Sequence, residues 1–434
     1  MRTVGLIVEY NPLHNGHLYH FRESQQAARA DAAVCVMSGH FLQRGEPALA
    51  GKWARAEMAL AMGADLVLEL PVAYASQPAE WFAYGAVATL EATGVVDSLC
   101  FGSESGSLDG LSTAADLLVD EPPAFRAALA AELERGQPYP AAYSAAVAGL
   151  LPGMDKAELA KPNNTLGLHY LIALRRLQSA IRPLTIRRTK AEYSQSDVTD
   201  ARIASATALR KLLLEQGSLD EIRPYVPEST ARILEREWHA GRAPVHWELL
   251  AQPLLQRLLT QSPAQLAAMA EVSEGLEHRI HSALARCQQP GGSAVEALLA
   301  QLKTRRYTRT KLQRMLLRIL LGHTKEELSA DRLAHGISYI RVLGFSARGR
   351  ELLKQMKKKA KVPVVTKVTT SPSPFLELDI RATAVHSLAY REATARDWLR
   401  DYYEPPVRLE SPAALHPATD EDQDYEDLGF NSAK

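Results

Sequence analysis

The sequence is poor in cysteine: its 434 residues include only Cys35, Cys100 and Cys287, which are odd in number and far apart. This spacing fits neither a disulfide framework nor a Cys-x-x-Cys metal site, so we expect three buried thiols. Long apolar runs are also missing, since none approaches the roughly 18 residues that span a bilayer. The N-terminus lacks the basic and then apolar pattern of a secretion signal. We therefore expect a cytoplasmic protein with no membrane partner.

A net charge is also absent, because 50 Lys and Arg residues offset 50 Asp and Glu residues. The balance hides an asymmetry along the chain. Residues 1–100 contain six basic and ten acidic residues, whereas residues 301–370 contain 18 basic and four acidic residues, a local net charge of +14. Such polarity indicates a polyanionic partner for the C-terminal part. The acidic stretch at 416–434 is typical of a disordered tail.

The first 200 residues alternate between short apolar runs and helix-like stretches. The apolar runs lie at 3–9, 31–37, 64–71, 96–104 and 183–189. Strands separated by helices of 12 to 16 residues are typical of parallel βαβ units, so we predict an α/β fold with a Rossmann-like parallel sheet. Residues 200–360 show helical periodicity almost throughout, and 361–368 resembles one more strand. We predict four regions, at 1–200, 201–290, 291–415 and 416–434.

The stretch GLIVEYNPLHNGHL (5–18) places His14 and His17 around a turn where the first apolar run stops. In a doubly wound sheet, ligands bind beyond the carboxyl ends of the strands, where the first βα turn delivers a helix N-terminus suited to phosphate. Imidazoles at that place can donate hydrogen bonds to a reacting phosphoryl group. Two alternatives stay open, an ordinary turn that contains histidine and a metal site that includes His20, although the helical His-x-x-x-His spacing is absent.

The pattern Gly5, Pro12, His14, Gly16 and His17 resembles the signature of the HIGH-type nucleotidyltransferase superfamily. A second superfamily signature, Ser-Ser-Thr-x-x-Arg at a helix start, is similar to IASATALR (203–210), in which Ala206 replaces the second serine. Its hydroxyl groups and N–H groups can hold terminal phosphates while Arg210 neutralises departing pyrophosphate. Taken alone, this stretch is an ordinary Ser/Thr helix start.

Longer stretches resemble the tRNA(Met) cytidine acetate ligase family, notably residues 4–20, MSGHFLQRGEPALAGKWARAEMAL (37–60) and KPNNTLGLHYL (161–171). The resemblance implies activation of acetate with ATP to acetyl-AMP, followed by acetylation of the wobble cytidine of elongator tRNA(Met) without acetyl-CoA. It implies catalytic roles for His14, His17 and Arg210 and a Mg²⁺ ion bridging the phosphates. The implied ATP contacts are Ile7, Val8, Glu9, Tyr10, Asn11, Pro12, Leu13, His14, Asn15, Gly16, His17, Leu18, Tyr19, His20, Gly102, Asn163, Arg188, Ser205 and Thr207.

Cations are needed beside acetate and the triphosphate, and we predict Arg44, Lys52 and Arg55 for this role. For Lys52 and Arg55 the alternative is a solvated helix face. Gly102 is otherwise an ordinary strand-ending glycine, and Asn163 and its neighbour Asn164 are otherwise helix caps. After Arg188 the run RTKAEYSQSD departs from the small, Gly-containing run that is usual in the family, which puts the contacts of that loop in doubt.

The basic region combines helical apolar spacing with cations on the opposite face. For binding of tRNA phosphates we predict Lys303, Arg305, Arg306, Arg309, Lys311 and Arg314. The alternative is a solvated basic helix. For the whole chain, the competing functions are a metabolic adenylyltransferase acting on a small cofactor precursor and a non-catalytic RNA-binding protein. The strongly basic region argues against the first, and the intact histidines and Arg210 argue against the second.

Overall fold

The computed structural model describes residues 1–151, 156–187, 204–287, 293–368 and 373–409. Within these ranges the strands form one twisted sheet. They are β1 (Thr3–Val8), β2 (Ala32–Ser38), β3 (Leu66–Leu70), β4 (Ser98–Ser103), β5 (Arg182–Arg187), β6 (Ile340–Ser346), β7 (Val364–Val365) and β8 (Val407–Leu409). The strand order is β5-β4-β1-β2-β3-β6-β7, and β8 pairs with β6. Strands β1 to β5 are mutually parallel, as the βαβ pattern predicts.

Helices connect and cover these strands. The first nine are α1 (Asn15–Ala28), α2 (Lys52–Met62), α3 (Val72–Ala75), α4 (Ala79–Thr93), α5 (Asp109–Leu118), α6 (Pro123–Glu134), α7 (Tyr139–Leu150), α8 (Lys156–Leu159) and α9 (Pro162–Arg176). After β5 come α10 (Ala206–Gln216), α11 (Glu228–His239), α12 (Ala251–Thr260), α13 (Pro263–Ala267), α14 (Leu276–Leu284), α15 (Ala294–Leu302), α16 (Arg309–Leu321), α17 (Ala330–Ala334), α18 (Ala347–Lys359), α19 (Pro374–Ser387), α20 (Ala395–Trp398) and α21 (Arg400–Tyr403). Short 3-10 helices lie at Arg223–Tyr225 and Trp247–Leu250.

Both faces of the sheet are buried, because successive strand residues point to opposite sides. In β2, Val34 and Val36 face a large core that includes α4 and α9, whereas Cys35 and Met37 face a second core that includes α2, α10 and α11. A strand covered on both faces has an unbroken apolar sequence, which explains why these runs lack polar alternation.

The C-terminal region contributes to the same sheet. The prediction of helix throughout 200–360 was wrong at β6, which pairs antiparallel with β3 and places Phe345 opposite Leu66. Residues 361–368 contain only the two-residue strand β7, and β8 was not predicted. The mainly helical character of the C-terminal region is otherwise as predicted.

Two details of composition can be compared with the structure. Cys35 and Cys100 are buried, but Cys287 is only partly buried, so the expectation of three buried thiols was wrong for Cys287. No helix within the described residues is both long enough and apolar enough to cross a membrane. The acidic tail predicted at 416–434 lies outside the described residues.

Candidate active site

The turn after β1 is built around two reciprocal hydrogen bonds. His14 is the N-cap of α1, and its Nδ1 accepts the backbone N–H of Gly16 at 3.1 Å. In return, Nδ1 of His17 accepts the backbone N–H of His14 at 3.3 Å. Because Nδ1 of each ring is an acceptor, each neutral imidazole carries its proton on Nε2. The two ring centroids lie 3.7 Å apart with the ring planes tilted by 30°, so the turn presents a pair of neighbouring N–H donors.

The first turn lines a cleft at the carboxyl end of the sheet. His14, Gly16, His17 and His20 contribute to one wall together with residues that end β1 or follow it, namely Ile7, Val8, Glu9, Tyr10 and Asn11. The ring of Tyr10 meets that of His17 edge to face, with centroids 5.1 Å apart. This position fits the predicted place for a phosphate-bearing ligand.

A second wall comes from the start of α10, nearly 200 residues later in the chain. Ser205 caps this helix, and its Oγ accepts the backbone N–H of Ala208 at 3.1 Å. Arg210 reaches across to the first turn, where its Nη1 donates to the carbonyl oxygen of Asn11 at 2.9 Å. The cleft therefore joins both sequence motifs, with Ser205, Thr207 and Arg210 among its lining residues.

The loop after β2 forms a third side of the cleft. Leu42, Gln43, Arg44 and Glu46 line it. Glu46 accepts a hydrogen bond from Arg210 at 3.1 Å, so its carboxylate neutralises the guanidinium. Gly45 has a φ of +77°, and a Cβ there would lie 2.5 Å from the backbone nitrogen of Arg314. The loop thus packs directly on α16 of the basic region.

The side of the cleft next to β4 is apolar and aromatic. Gly102 and Asn163 line it, as do Phe82, Phe101, Leu166 and Tyr170. The prediction that Asn163 and Asn164 cap a helix was wrong, since both lie inside α9. The N-cap residue is Lys161, and the carboxylate of Glu104, from outside the helix, accepts the backbone N–H groups of Asn163 at 3.1 Å and Asn164 at 2.8 Å.

The sequence patterns did not predict this aromatic side of the cleft. Apolar residues in helices and strands carry no signal of chemistry. The only cue was the aromatic residue that immediately precedes Gly102. A flat apolar side of this kind is suited to the face of a purine base.

Two of the predicted acetate-side cations lie elsewhere. Lys52 is fully buried, and its Nζ contacts Glu69 at 2.9 Å and Asp401 at 2.9 Å. Burial lowers the pKa of Lys52, but the two carboxylates outweigh that effect and leave the pKa raised. Arg55 is also buried and donates to the carbonyl oxygens of Glu9, Ser38, Gly39 and Ala50. Direct contact of Lys52 or Arg55 with a ligand does not fit this arrangement, and Arg44 is the predicted cation that lines the cleft.

Other predicted ATP contacts are also away from the cleft lining. Pro12, Leu13 and Leu18 are buried in the turn and in α1. Asn15 donates to the carbonyl oxygen of Pro224 at 3.2 Å, and Tyr19 lies farther along α1. Arg188 and the loop that follows it lie outside the described residues.

The predicted tRNA-binding cations differ in exposure. Lys303 and Arg305 are exposed. Arg306, Arg309 and Lys311 are partly or largely exposed and pair with Glu274, Glu296 and Glu271. Arg314 is 9% exposed and pairs with Glu271 at 2.8 Å, so it is poorly placed to meet phosphate in this state.

A resident metal site is not evident in the part of the chain that the structure describes. Within those residues, no group of three or more His, Cys, Asp or Glu side chains is placed to hold an ion.

Comparison with known proteins first defines the class. Residues 1–401 match the family model described as HIGH Nucleotidyl Transferase. The crystal structure of apo Thermotoga maritima TmcAL is similar to this chain with a TM-score of 0.87 and 37% identity, covering 95% of this chain and 100% of that one. The form of TmcAL bound with alpha-thio ATP has a TM-score of 0.84 and 35% identity over the same shares. The chain has the fold of a HIGH nucleotidyl transferase and belongs to that family.

Curated relatives narrow the class to one family. The protein from Acetivibrio thermocellus named tRNA(Met) cytidine acetate ligase is 42% identical over 408 residues, which is 91% of this chain and 97% of the relative. The protein of the same name from Caldanaerobacter subterraneus subsp. tengcongensis is 40% identical over 415 residues, covering 94% of this chain and all of the relative. The chain belongs to the tRNA(Met) cytidine acetate ligase family.

Proposed function

We propose that this protein is an ATP-dependent ligase that converts acetate and ATP to acetyl-AMP and then acetylates N4 of the wobble cytidine of elongator tRNA(Met). One observation carries the proposal. The cleft unites the His14 and His17 turn with the start of α10, and Arg210 bridges them through the carbonyl oxygen of Asn11. Two phosphate-type helix starts that share one cleft suit a nucleoside triphosphate.

In the first step, an acetate oxygen attacks the α-phosphorus of ATP, and the bond to pyrophosphate breaks. The Nε2–H groups of His14 and His17, together with the N-terminus of α1, stabilise the negative charge that grows on the α-phosphoryl oxygens. Arg210 releases Glu46 and pairs with the departing pyrophosphate, to which the hydroxyl groups of Ser205 and Thr207 also donate hydrogen bonds. Arg44 is the cation on the acetate side.

The remaining parts of the cleft have roles that follow from their chemistry. Gly102, Asn163 and the aromatic side next to β4 hold the adenosine. A Mg²⁺ ion bound together with ATP would be held mainly by phosphate oxygens, because no group of three or more His, Cys, Asp or Glu side chains among the described residues is placed to hold an ion. It would neutralise phosphate charge when bound.

In the second step, the cytidine amine attacks the acetyl carbonyl and AMP leaves. The mixed anhydride supplies the acetyl group, so acetyl-CoA is not required. The exposed cations Lys303 and Arg305, together with Arg306, Arg309 and Lys311, attract the tRNA phosphates without reading its sequence. A tRNA substrate places this activity in the cytoplasm.

The direct test is to incubate the purified protein with ATP, labelled acetate and total tRNA, and to omit acetyl-CoA. We expect label in N4-acetylcytidine, together with AMP and pyrophosphate. If AMP instead appears on a small phosphorylated metabolite, the protein is a metabolic adenylyltransferase. If neither product forms although tRNA binds, the protein is a non-catalytic RNA-binding protein.

A further inference from the structure

Glu9 is a carboxylate at the base of the cleft whose role the first step does not explain. It immediately follows β1 and lines the cleft with the His14 and His17 turn. The negative charge of Glu9 would oppose the binding of two other anions, acetate and a triphosphate. Its placement among residues that surround the reacting groups therefore requires another explanation.

The side chain of Glu9 is oriented by the β2 side of the sheet. Its Oε1 accepts the hydroxyl of Ser38, the last residue of β2, at 3.1 Å, and the backbone N–H of Gln43 at 2.8 Å. In the strand order, β2 flanks β1 on one side, and β4, which carries Gly102, flanks it on the other. Glu9 is thus held on the side away from the proposed adenosine site, where the acetyl group and its acceptor would lie.

The second reaction needs a proton acceptor at that place. The N4 amine of cytidine is a weak nucleophile because its lone pair is delocalised into the ring. Its attack on the acetyl carbonyl becomes productive when one N–H proton is removed during the addition. Neither neutral imidazole is suited to this task, since each uses Nδ1 to accept a backbone N–H and carries its proton on Nε2.

We infer that Glu9 is the general base that takes this proton when the acetyl group passes to the tRNA. The inference rests on the proposed function. The amine nitrogen forms a bond to the acetyl carbon, and the bond from that carbon to the AMP oxygen breaks. The electron pair leaves with AMP, and one N4 proton moves to the carboxylate of Glu9 and then to water. Atoms and charge balance without a further reactant.

The surroundings of Glu9 make its carboxylate a stronger base than an exposed one. Burial is the main cause that raises the pKa of Glu9, and the hydrogen bonds from Gln43 and Ser38 oppose it. The negative charge of Glu46 also raises this pKa, while Arg55 lowers it. The other titratable or charged groups that line the cleft are Tyr10, His14, His17, His20, Arg44, Tyr170 and Arg210. A carboxylate with a raised pKa is a stronger proton acceptor than an exposed one.

The test separates the two half-reactions in the full-length protein. Acetate-dependent exchange of pyrophosphate into ATP measures the first step. Transfer from preformed acetyl-AMP to an unmodified tRNA(Met) transcript measures the second step. For Glu9→Gln, which keeps shape and removes the base, we expect the ratio of transfer to exchange to fall by about 100-fold or more.

The pH dependence supplies an independent readout. Below the pKa of Glu9 the wild-type transfer rate should fall about tenfold per pH unit, and Glu9→Gln should remove this dependence. Ser38→Ala is the matched variant. It deletes one hydrogen bond that lowers the pKa of Glu9, so the transfer profile should move to higher pH and keep its plateau.

Three results would overturn the inference. The first is an equal loss of the exchange and transfer rates in Glu9→Gln, and the second is an unchanged pH dependence of transfer in that variant. The third is an unshifted pH dependence of transfer in Ser38→Ala, which is the deciding measurement if Glu9→Gln does not fold. If the wild-type protein makes no acetyl-AMP and transfers no acetyl group, the proposed function itself fails, which is a distinguishable outcome.

Discussion

The substitution His17→Ala probes the first turn most sharply, because the ring has two separable roles. Its Nδ1 completes the cap of α1 by accepting the N–H of His14. Its Nε2–H is the donor that we assign to the α-phosphoryl group. Loss of one preorganised donor of this kind costs about 2.7–4 kcal/mol in transition-state stabilisation, or about 100- to 1000-fold in rate. Loss of the cap costs about 1 kcal/mol in the free energy of unfolding.

The assay is acetate-dependent release of pyrophosphate from ATP, measured beside denaturant unfolding. A matched control is His17→Gln. Gln at the third helical position can also accept the N-cap N–H in a capping box, so this variant keeps the cap and lacks the imidazole. We expect His17→Gln to unfold like the wild type and to release pyrophosphate slowly. The assignment is refuted if His17→Ala keeps its rate within about tenfold, or if restoring the cap alone restores full activity.

Three further predictions concern other parts of the structure. Arg210→Lys keeps the charge but loses the planar fork, so acetate-dependent pyrophosphate release should fall about 10- to 100-fold, and an unchanged rate would contradict the role of Arg210. Lys52→Met removes the buried cation that Glu69 and Asp401 share and leaves Asp401 with its longer 3.5 Å ion pair to Arg341, so it should lower the free energy of unfolding by about 3–5 kcal/mol. A changed KM for acetate in a fully stable Lys52→Met protein would instead indicate that Lys52 contacts the ligand. Arg305→Ala should weaken tRNA binding and lower the slope of log affinity against log salt concentration by about 1. Arg309→Ala should have a smaller effect, because Glu296 already pairs with that guanidinium. Equal effects of the two substitutions would argue against this ranking.

Local pattern was sufficient for the first five strands. The run DAAVCVM is short, apolar and bounded by helix-like stretches, so β2 could be placed within one residue at each end. The antiparallel strand β6 could not be identified in this way. Its sequence IRVLGFS has no polar alternation, and its strand character depends on pairing with β3, which lies about 270 residues earlier.

The same distinction between local and distant information applies to the cleft. The His14 turn and the Ser205 helix start were identifiable because each is a compact local motif. The buried state of Lys52 was not, since its partner Asp401 lies 349 residues away in the sequence. The sequence shows a cation on an amphipathic helix, but it does not show that the C-terminal segment covers that face. The contact of Gly45 with the backbone of Arg314 was hidden for the same reason.

The central claim is that His14 and His17 face the α-phosphoryl group while Arg210 meets the terminal phosphates. The most direct measurement is a crystal structure of this protein with a non-hydrolysable ATP analogue and acetate. We expect α-phosphoryl oxygens within hydrogen-bond distance of the two Nε2 atoms, Arg210 released from Glu46 and bound to the β- or γ-phosphate, and acetate beside Arg44. An analogue bound outside this cleft, or phosphates turned away from both imidazoles, would contradict it.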